Sequence, residues 1–268
     1  MIIEATFEIP HAVAPGEEIF AIGDIHGGAD LLAGLLEHAR GLPRQAARRT
    51  IVQLGDLVDR GPRTLATLDL MADAARRGAA DVAIGLMGNH EQMLLTGLAG
   101  TGRRQGPVYD LWIENGGDAV LRELFGEDWR RHHEPAAVRA ALGARLDQLR
   151  DLCSHWRSGD VIFVHAGLSP TVPPETFLAT PWDMDFDRLR EDAHWAWIRA
   201  PFLQAASHHG LFVCHGHSPH DGLAVPPAAA IARHRLNLDI GSTRTGMARM
   251  ARFVGGRVTL FELVGGLD

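Results

Sequence analysis

Three apolar runs, each closing on a short glycine-rich polar cluster, set the rhythm of the N-terminal part of the chain. Residues 17–23, Ile51-Val52-Gln53-Leu54 and Asp81 to Met87 read as strands. Between the first two, Leu31, Leu32, Leu35 and Leu36 sit at helical spacing, with Asp30 placed to cap the helix. Leu65, Leu68, Leu70 and Met71 predict a second helix that stops at Gly78. The polar clusters are Gly23-Asp24-Ile25-His26-Gly27, Gly55-Asp56-Leu57-Val58-Asp59-Arg60-Gly61 and Gly88-Asn89-His90-Glu91. Asp24, Asp56 and Asn89 recur at nearly equal intervals, about the length of one strand–helix–strand unit. A parallel sheet built from such units sets its strand ends side by side, where α/β proteins assemble their sites.

After Asn89 the rhythm breaks, and the next apolar strand is Val161-Ile162-Phe163-Val164. The stretch between, about 95–158, reads as a helical cap insertion; Ala140, Leu142, Leu146 and Leu149 mark one face of a helix over 136–152. A second, irregular insertion, about 168–209, is rich in proline, tryptophan and acids. Closely spaced strands follow at Leu211–Cys214, Ala228–Ala232, Leu236–Ile240, Met247–Phe253 and Arg257–Val264, a spacing that predicts a meander forming a second sheet. The expected architecture is a single α/β domain over 1–268.

Composition narrows the class. A 46% hydrophobic fraction supports a sizeable core. The net charge of -7 argues against a nucleic-acid or membrane-surface binder, although bound metals could still attract an anionic substrate. All 26 basic residues are arginine, which removes P-loop and Schiff-base chemistry because both need lysine. Cys153 and Cys214 form no CxxC pair and are expected as buried thiols in a reducing compartment. No run approaches the roughly 18 apolar residues of a membrane span, and no secretory signal is evident, so the expectation is cytoplasmic.

Two further clusters follow strands: His165-Ala166-Gly167 and His215-Gly216-His217-Ser218. Carboxylate, imidazole and amide oxygen converging on one sheet edge is the ligand mix of a divalent metal site. Glycines beside each candidate permit the tight turns that bring short side chains to one centre. A metal pair needs a bridging carboxylate, and Asp56 is centrally placed for it. His215 competes with His217 as the last ligand, since alternation along a strand would turn both to one side. His132, His133, His208 and His209 are expected on the solvated surface, and Asp183, Asp185, Asp187, Glu191 and Asp192 as a solvated loop and helix start.

Taken together, GDIHG, GDLVDRG, GNHE, HAG and GHS, in this order, resemble the calcineurin-like metallophosphoesterases. More narrowly, they resemble the bacterial and phage branch of the serine/threonine phosphoprotein phosphatases; Asn237-Leu238-Asp239-Ile240-Gly241 is similar to that family's late strand. The resemblance implies a sandwich of two mixed β-sheets flanked by helices. It also implies that Asp24, His26 and Asp56 hold one divalent cation and Asp56, Asn89, His165 and His217 a second. Manganese is the expected metal, with iron or zinc as alternatives. A water acidified by both cations would attack phosphorus in line. Arg60 and Asn89 would bind phosphate, His90 would protonate the leaving oxygen, and Asp59 would orient His90. Arg199, in Trp195-Ala196-Trp197-Ile198-Arg199, resembles a second phosphate-binding arginine, and Trp112-Ile113-Glu114-Asn115-Gly116-Gly117 resembles that branch's cap near the site.

The expected substrate is a phosphorylated serine or threonine, with tyrosine also open, in a protein or a small phosphoester. No nucleic-acid or membrane partner is expected. Symmetrical dinucleoside tetraphosphate hydrolases are the nearest alternative; their pattern often lacks an acid at the place of Asp59 and tends to carry Asp where this chain has Glu91. A nuclease and a non-catalytic metal-binding module rank lower, because no ligand, acid or arginine of the pattern is missing and no basic stripe is present.

Overall fold

A computed structural model of the chain describes residues 1–99, 105–183, 186 and 189–265. Ten strands form two mixed sheets. They are β1 (Ile2–Glu8), β2 (Glu17–Ile22), β3 (Arg48–Gln53), β4 (Val82–Gly85), β5 (His155–Ser158), β6 (Val161–Val164), β7 (Phe212–His215), β8 (Arg235–Asn237), β9 (Met247–Val254) and β10 (Arg257–Val264). The six-stranded sheet runs β1-β10-β9-β2-β3-β4, with β2, β3 and β4 parallel and the rest antiparallel. The four-stranded sheet runs β5-β6-β7-β8, with β6, β7 and β8 parallel.

The period of two along β2 explains the layers. Ile19 and Ala21 pack with Phe163, Phe212 and Phe253 between the sheets, while Phe20 and Ile22 pack with Leu32 and Leu35 of the flanking helix. The Phe163 and Phe253 rings meet edge to face, 5.3 Å apart, across the sandwich. Both faces of the central strands are thus covered, which is why their sequences are continuous apolar runs.

Helix α1 (Ala29–Gly41) follows β2. Gly28, not Asp30, precedes its first turn, and Asp30 instead pairs with Arg63 at 2.7 Å. Helix α2 (Thr64–Ala72) and the short α3 (Ala74–Arg77) lead to Gly78 and β4. The cap contains α4 (Asn89–Ala99), α5 (Gln105–Trp112), a π-helical turn at Ile113–Gly117, α6 (Asp118–Phe125), α7 (Pro135–Leu142) and α8 (Arg145–Arg150). The helix expected over 136–152 is two helices, broken where Gly143 takes φ 56.

Other expectations are corrected. Ala228–Ala232 is not a strand but part of the helix Pro227–Ile231, entered through Pro226-Pro227 as first-turn prolines permit. The last strands form no separate meander: β9 and β10 complete the first sheet, and β7 and β8 belong to the second. Cys153 is exposed, whereas Cys214 is buried. His208 is buried beside the Phe202 ring, not solvated; His132 and His209 are exposed. Asp183, Glu191 and Asp192 are exposed, while Asp185 and Asp187 lie outside the described residues. Among the described residues no helix is long and apolar enough to cross a membrane.

Candidate active site

The parallel strands of both sheets end at one place. Asp24 and His26 follow β2, Asp56, Asp59 and Arg60 follow β3, and Asn89 and His90 open α4 after β4. From the second sheet, His165 follows β6 and His217 follows β7. Each strand therefore delivers one polar cluster to a shared edge. All of these side chains are at least nine-tenths buried except Arg60, which stands at the mouth.

Three imidazoles share one arrangement. His26 Nδ1 donates to the Val58 carbonyl at 2.9 Å, His165 Nδ1 to Leu54 at 2.8 Å and His217 Nε2 to Trp197 at 3.1 Å. Each backbone acceptor fixes a tautomer and leaves the other ring nitrogen as a lone pair. Those lone pairs turn inward. His26 Nε2 lies 3.4 Å from Asp56 Oδ2, and His165 Nε2 lies 3.4 Å from Asp56 Oδ1. His165 Nε2 and His217 Nδ1 also lie 3.1 and 2.9 Å from Asn89 Oδ1. Ligand atoms of His26, Asp56 and His90 fall within 4.8 Å of one another, as do those of Asp56, His165 and His217. Asp56 belongs to both sets. Asp24 belongs to neither, but its Oδ2 accepts the His217 N–H at 3.0 Å and its buried Oδ1 has no partner. Orphaned carboxylate oxygen, shared carboxylate and inward lone pairs are the donor set of a divalent metal pair.

Electrostatics agree with that geometry. Burial, then the Asp239 and Asp56 charges, push Asp24 well above the usual carboxylate range. Burial also acts upward on Asp56, but its His165, His90 and His26 neighbours and the Arg60 cation outweigh it and leave its pKa lowered. Burial drives His26 down to about 3 and His217 well below its ordinary value, which favours the uncharged rings whose lone pairs the backbone bonds orient. Like-charged carboxylates crowd a dry site, a situation that cations relieve.

The non-ligand residues form a second layer. His90 Nδ1 bonds Asp59 Oδ2 at 2.7 Å, and Asp59 Oδ1 accepts the Trp112 indole N–H at 2.8 Å. Burial pulls His90 down, but Asp56 and the Asp59 hydrogen bond overcome it and leave its pKa raised. The Arg60 fork donates to His26 Nε2 at 2.8 Å and His90 Nε2 at 2.7 Å. Arg199 is exposed and donates to the His217 carbonyl at 3.2 Å, at the rim of the same cluster. His215 is excluded from it. The chain turns after β7, so alternation ends at His215, whose ring rests on Phe202 and lies 3.4 Å from Arg235.

Three residues quoted in the sequence motifs received no role of their own in the site. Glu91 is fully buried and accepts N–H groups of Asp56, Leu57, Val58 and Gly88 at 2.7 to 3.1 Å, tying two motif loops together. Trp112 reaches Asp59 from the cap, and Asp239 sits beside Asp24. Glu91 stood inside a motif; nothing in the linear sequence couples Trp112 to Asp59. One cavity borders the cluster and another lies away from its ligands. The first, of about 180 Å³, is lined by His26, Gly28, Arg60, Arg63 and Ser242, and the second, of about 210 Å³, lies between the insertions, against Leu111, Asn115, Phe186 and Trp197.

A family model described as calcineurin-like phosphoesterase matches residues 18–240. A symmetrical bis(5'-nucleosyl)-tetraphosphatase of Acidovorax ebreus (strain TPSY) is 31% identical over 166 residues, covering 60% of this chain and 48% of that protein. Serine/threonine-protein phosphatase 1 of Salmonella typhimurium (strain LT2) is 35% identical over 104 residues, covering 39% of this chain and 41% of its own length. The chain thus spans about half the length of the curated relatives it matches, or less. Among solved structures, the cold-active protein-tyrosine phosphatase of a Shewanella species superposes with a TM-score of 0.58 at 18% identity, over 92% of this chain and 79% of that one. A putative diadenosine tetraphosphatase superposes with a TM-score of 0.53 at 20% identity, over 96% and 100%. At these identities the likeness concerns the fold.

Proposed function

Because the chain belongs to the calcineurin-like phosphoesterase family, we propose that it is a two-metal phosphoester hydrolase whose preferred substrate is a dinucleoside tetraphosphate. The observation that carries the chemistry is the set of three imidazoles, each tethered to a carbonyl and turned lone-pair-first toward Asp56 or Asn89. Asp24, His26, Asp56, Asn89, His165 and His217 would hold two divalent cations, manganese being the expected metal. When bound, these would supply positive charge and an acidified water. Similarity to tetraphosphatases supports the substrate, and the cavity beside Arg60 and Arg63 offers room and charge for phosphates beyond the scissile one.

The chain's own residues divide the remaining work. Arg60 donates into the lone pair that His26 would offer a cation, so it would leave that nitrogen on loading and be free for phosphate oxygens. Arg199, at the opposite rim, would be the second phosphate contact. Arg60 would leave His90 Nε2 in the same movement, so that His90, protonated there, would give that proton to the leaving oxygen while Asp59 holds Nδ1.

A second reading, a phosphomonoesterase acting on phosphoserine or phosphothreonine, is favoured by the Asp59–His90 pair. An alkoxide leaves poorly without a proton, whereas a nucleoside diphosphate leaves readily, so the pair is most useful to a monoesterase. Rates on a dinucleoside tetraphosphate and on a phosphopeptide, measured side by side with manganese, separate the two. Faster turnover of the dinucleotide is expected. A thousandfold preference for the phosphopeptide would overturn the assignment.

A further inference from the structure

We propose that Trp112 is a positioning residue for the proton donor, and that through it the cap is part of the catalytic apparatus. This rests on the phosphoester-hydrolase reading above. Both carboxylate oxygens of Asp59 are committed: Oδ2 to His90 Nδ1 at 2.7 Å and Oδ1 to the Trp112 indole at 2.8 Å. Asp59 and Trp112 are each 0% exposed, so solvent cannot replace either bond. An indole N–H only donates and does not titrate, so it fixes which oxygen faces His90 and in which plane.

The same turn holds the clamp. The Gly116 carbonyl accepts the Arg60 N–H at 2.9 Å, and Gly116 itself takes φ 114, open to glycine and strained for other residues. A Cβ there would lie 2.6 Å from Arg60 Cγ, and one on Gly117 would enter the Trp112 ring. Residues 112–117 therefore fit against both the partner of the acid and the phosphate arginine. Beyond α4, whose His90 bonds both, no other part of the described cap touches Asp59 or Arg60 by a hydrogen bond.

The consequence lies in the proton step. As the bond from phosphorus to the leaving oxygen breaks, its electron pair stays on that oxygen, which takes the Nε2 proton of His90. Asp59 keeps its bond to Nδ1–H and offsets the imidazolium charge beforehand; the proton lost by the attacking water restores the ring. A nitrophenolate leaves without this help, and an alkoxide does not. Loosening Asp59 should slow esters in proportion to how badly their leaving group needs a proton.

The test uses manganese-loaded full-length protein and a series of phosphate esters, from 2,4-dinitrophenyl through phenyl to an alkyl ester. Trp112→Phe removes the N–H and some bulk. β-(3-Benzothienyl)alanine at 112 removes the N–H and keeps the shape, so it answers the question if the first variant does not fold. For both, kcat on the alkyl ester is expected to fall about 10²-fold, with roughly unchanged kcat on the dinitrophenyl ester, KM and manganese binding. Equal losses on every ester, or no loss with the shape-conserving residue, would overturn the proposal. A wild-type protein inactive on every ester would instead contradict the hydrolase reading.

Discussion

Eight described non-glycine residues adopt left-handed backbone, with φ between 47 and 71, and five of them are His26, Asp56, Asp59, Arg60 and His217. Each such conformation costs about 1–3 kcal/mol and persists only where surrounding structure imposes it. Their concentration in one cluster marks the site independently of residue chemistry. Glycine contacts enforce it: a Cβ on Gly216 would overlap Asp24 Oδ1, and one on Gly88 would overlap Asp56 Oδ1. Gly216→Ala is therefore expected to weaken manganese binding by about 10–100-fold, read by calorimetry. Gly41→Ala, at a position with open space around it, is expected to leave binding unchanged. Equal affinity in the two variants would contradict the tight fit at Asp24. At this scale the sequence was highly legible, because the candidate ligands sit in short glycine-flanked clusters after strands. His217 over His215 needed the turn at the end of β7, which alternation alone does not reveal.

The elements were legible where burial is complete on both faces. β2 and β3 stand out as apolar runs, and the half-buried edge strand β4 reads from Val82-Ala83-Ile84-Gly85 leading into buried Leu86 and Met87, but β1 is an edge strand with a mostly exposed face and carries no such signal. β5, His155-Trp156-Arg157-Ser158, is too polar to stand out, and the alanine run at 228–232 imitates a strand. Which strands pair was not written locally either: β9 joins β2 only because the chain returns across the whole fold. Besides its core side chains, the irregular insertion is bonded at two points by one buried side chain. Gln92 of α4 accepts the Trp197 indole N–H at 2.6 Å and donates to the Trp182 carbonyl at 2.6 Å. Trp197 in turn holds His217 by its carbonyl. Gln92→Ala would strand a buried N–H, so a loss of about 1–3 kcal/mol in stability is expected, with faster proteolysis within 168–209. Unchanged melting and unchanged cleavage would show that Gln92 does not anchor the insertion.

Across the whole molecule, two sheets of different origin in the chain meet so that five strand ends point at one centre. Asp24, His26, Asp56 and Asn89 come from the first sheet and His165 and His217 from the second, so the sandwich must close before the cluster exists. The proposed reaction class rests on that cluster; the proposed substrate rests on the cavity beside Arg60 and Arg63, whose geometry the linear pattern did not specify. In the proposed function the cluster holds two divalent cations that make the chain a phosphoester hydrolase. Manganese titrated into metal-depleted protein, followed by calorimetry and by hydrolysis of an aryl phosphate in the same samples, tests this most directly. Two cations bound per chain, with activity rising as the second site fills, is the predicted result. Binding of fewer than two, or no hydrolysis with manganese, iron or zinc at saturation, would contradict it.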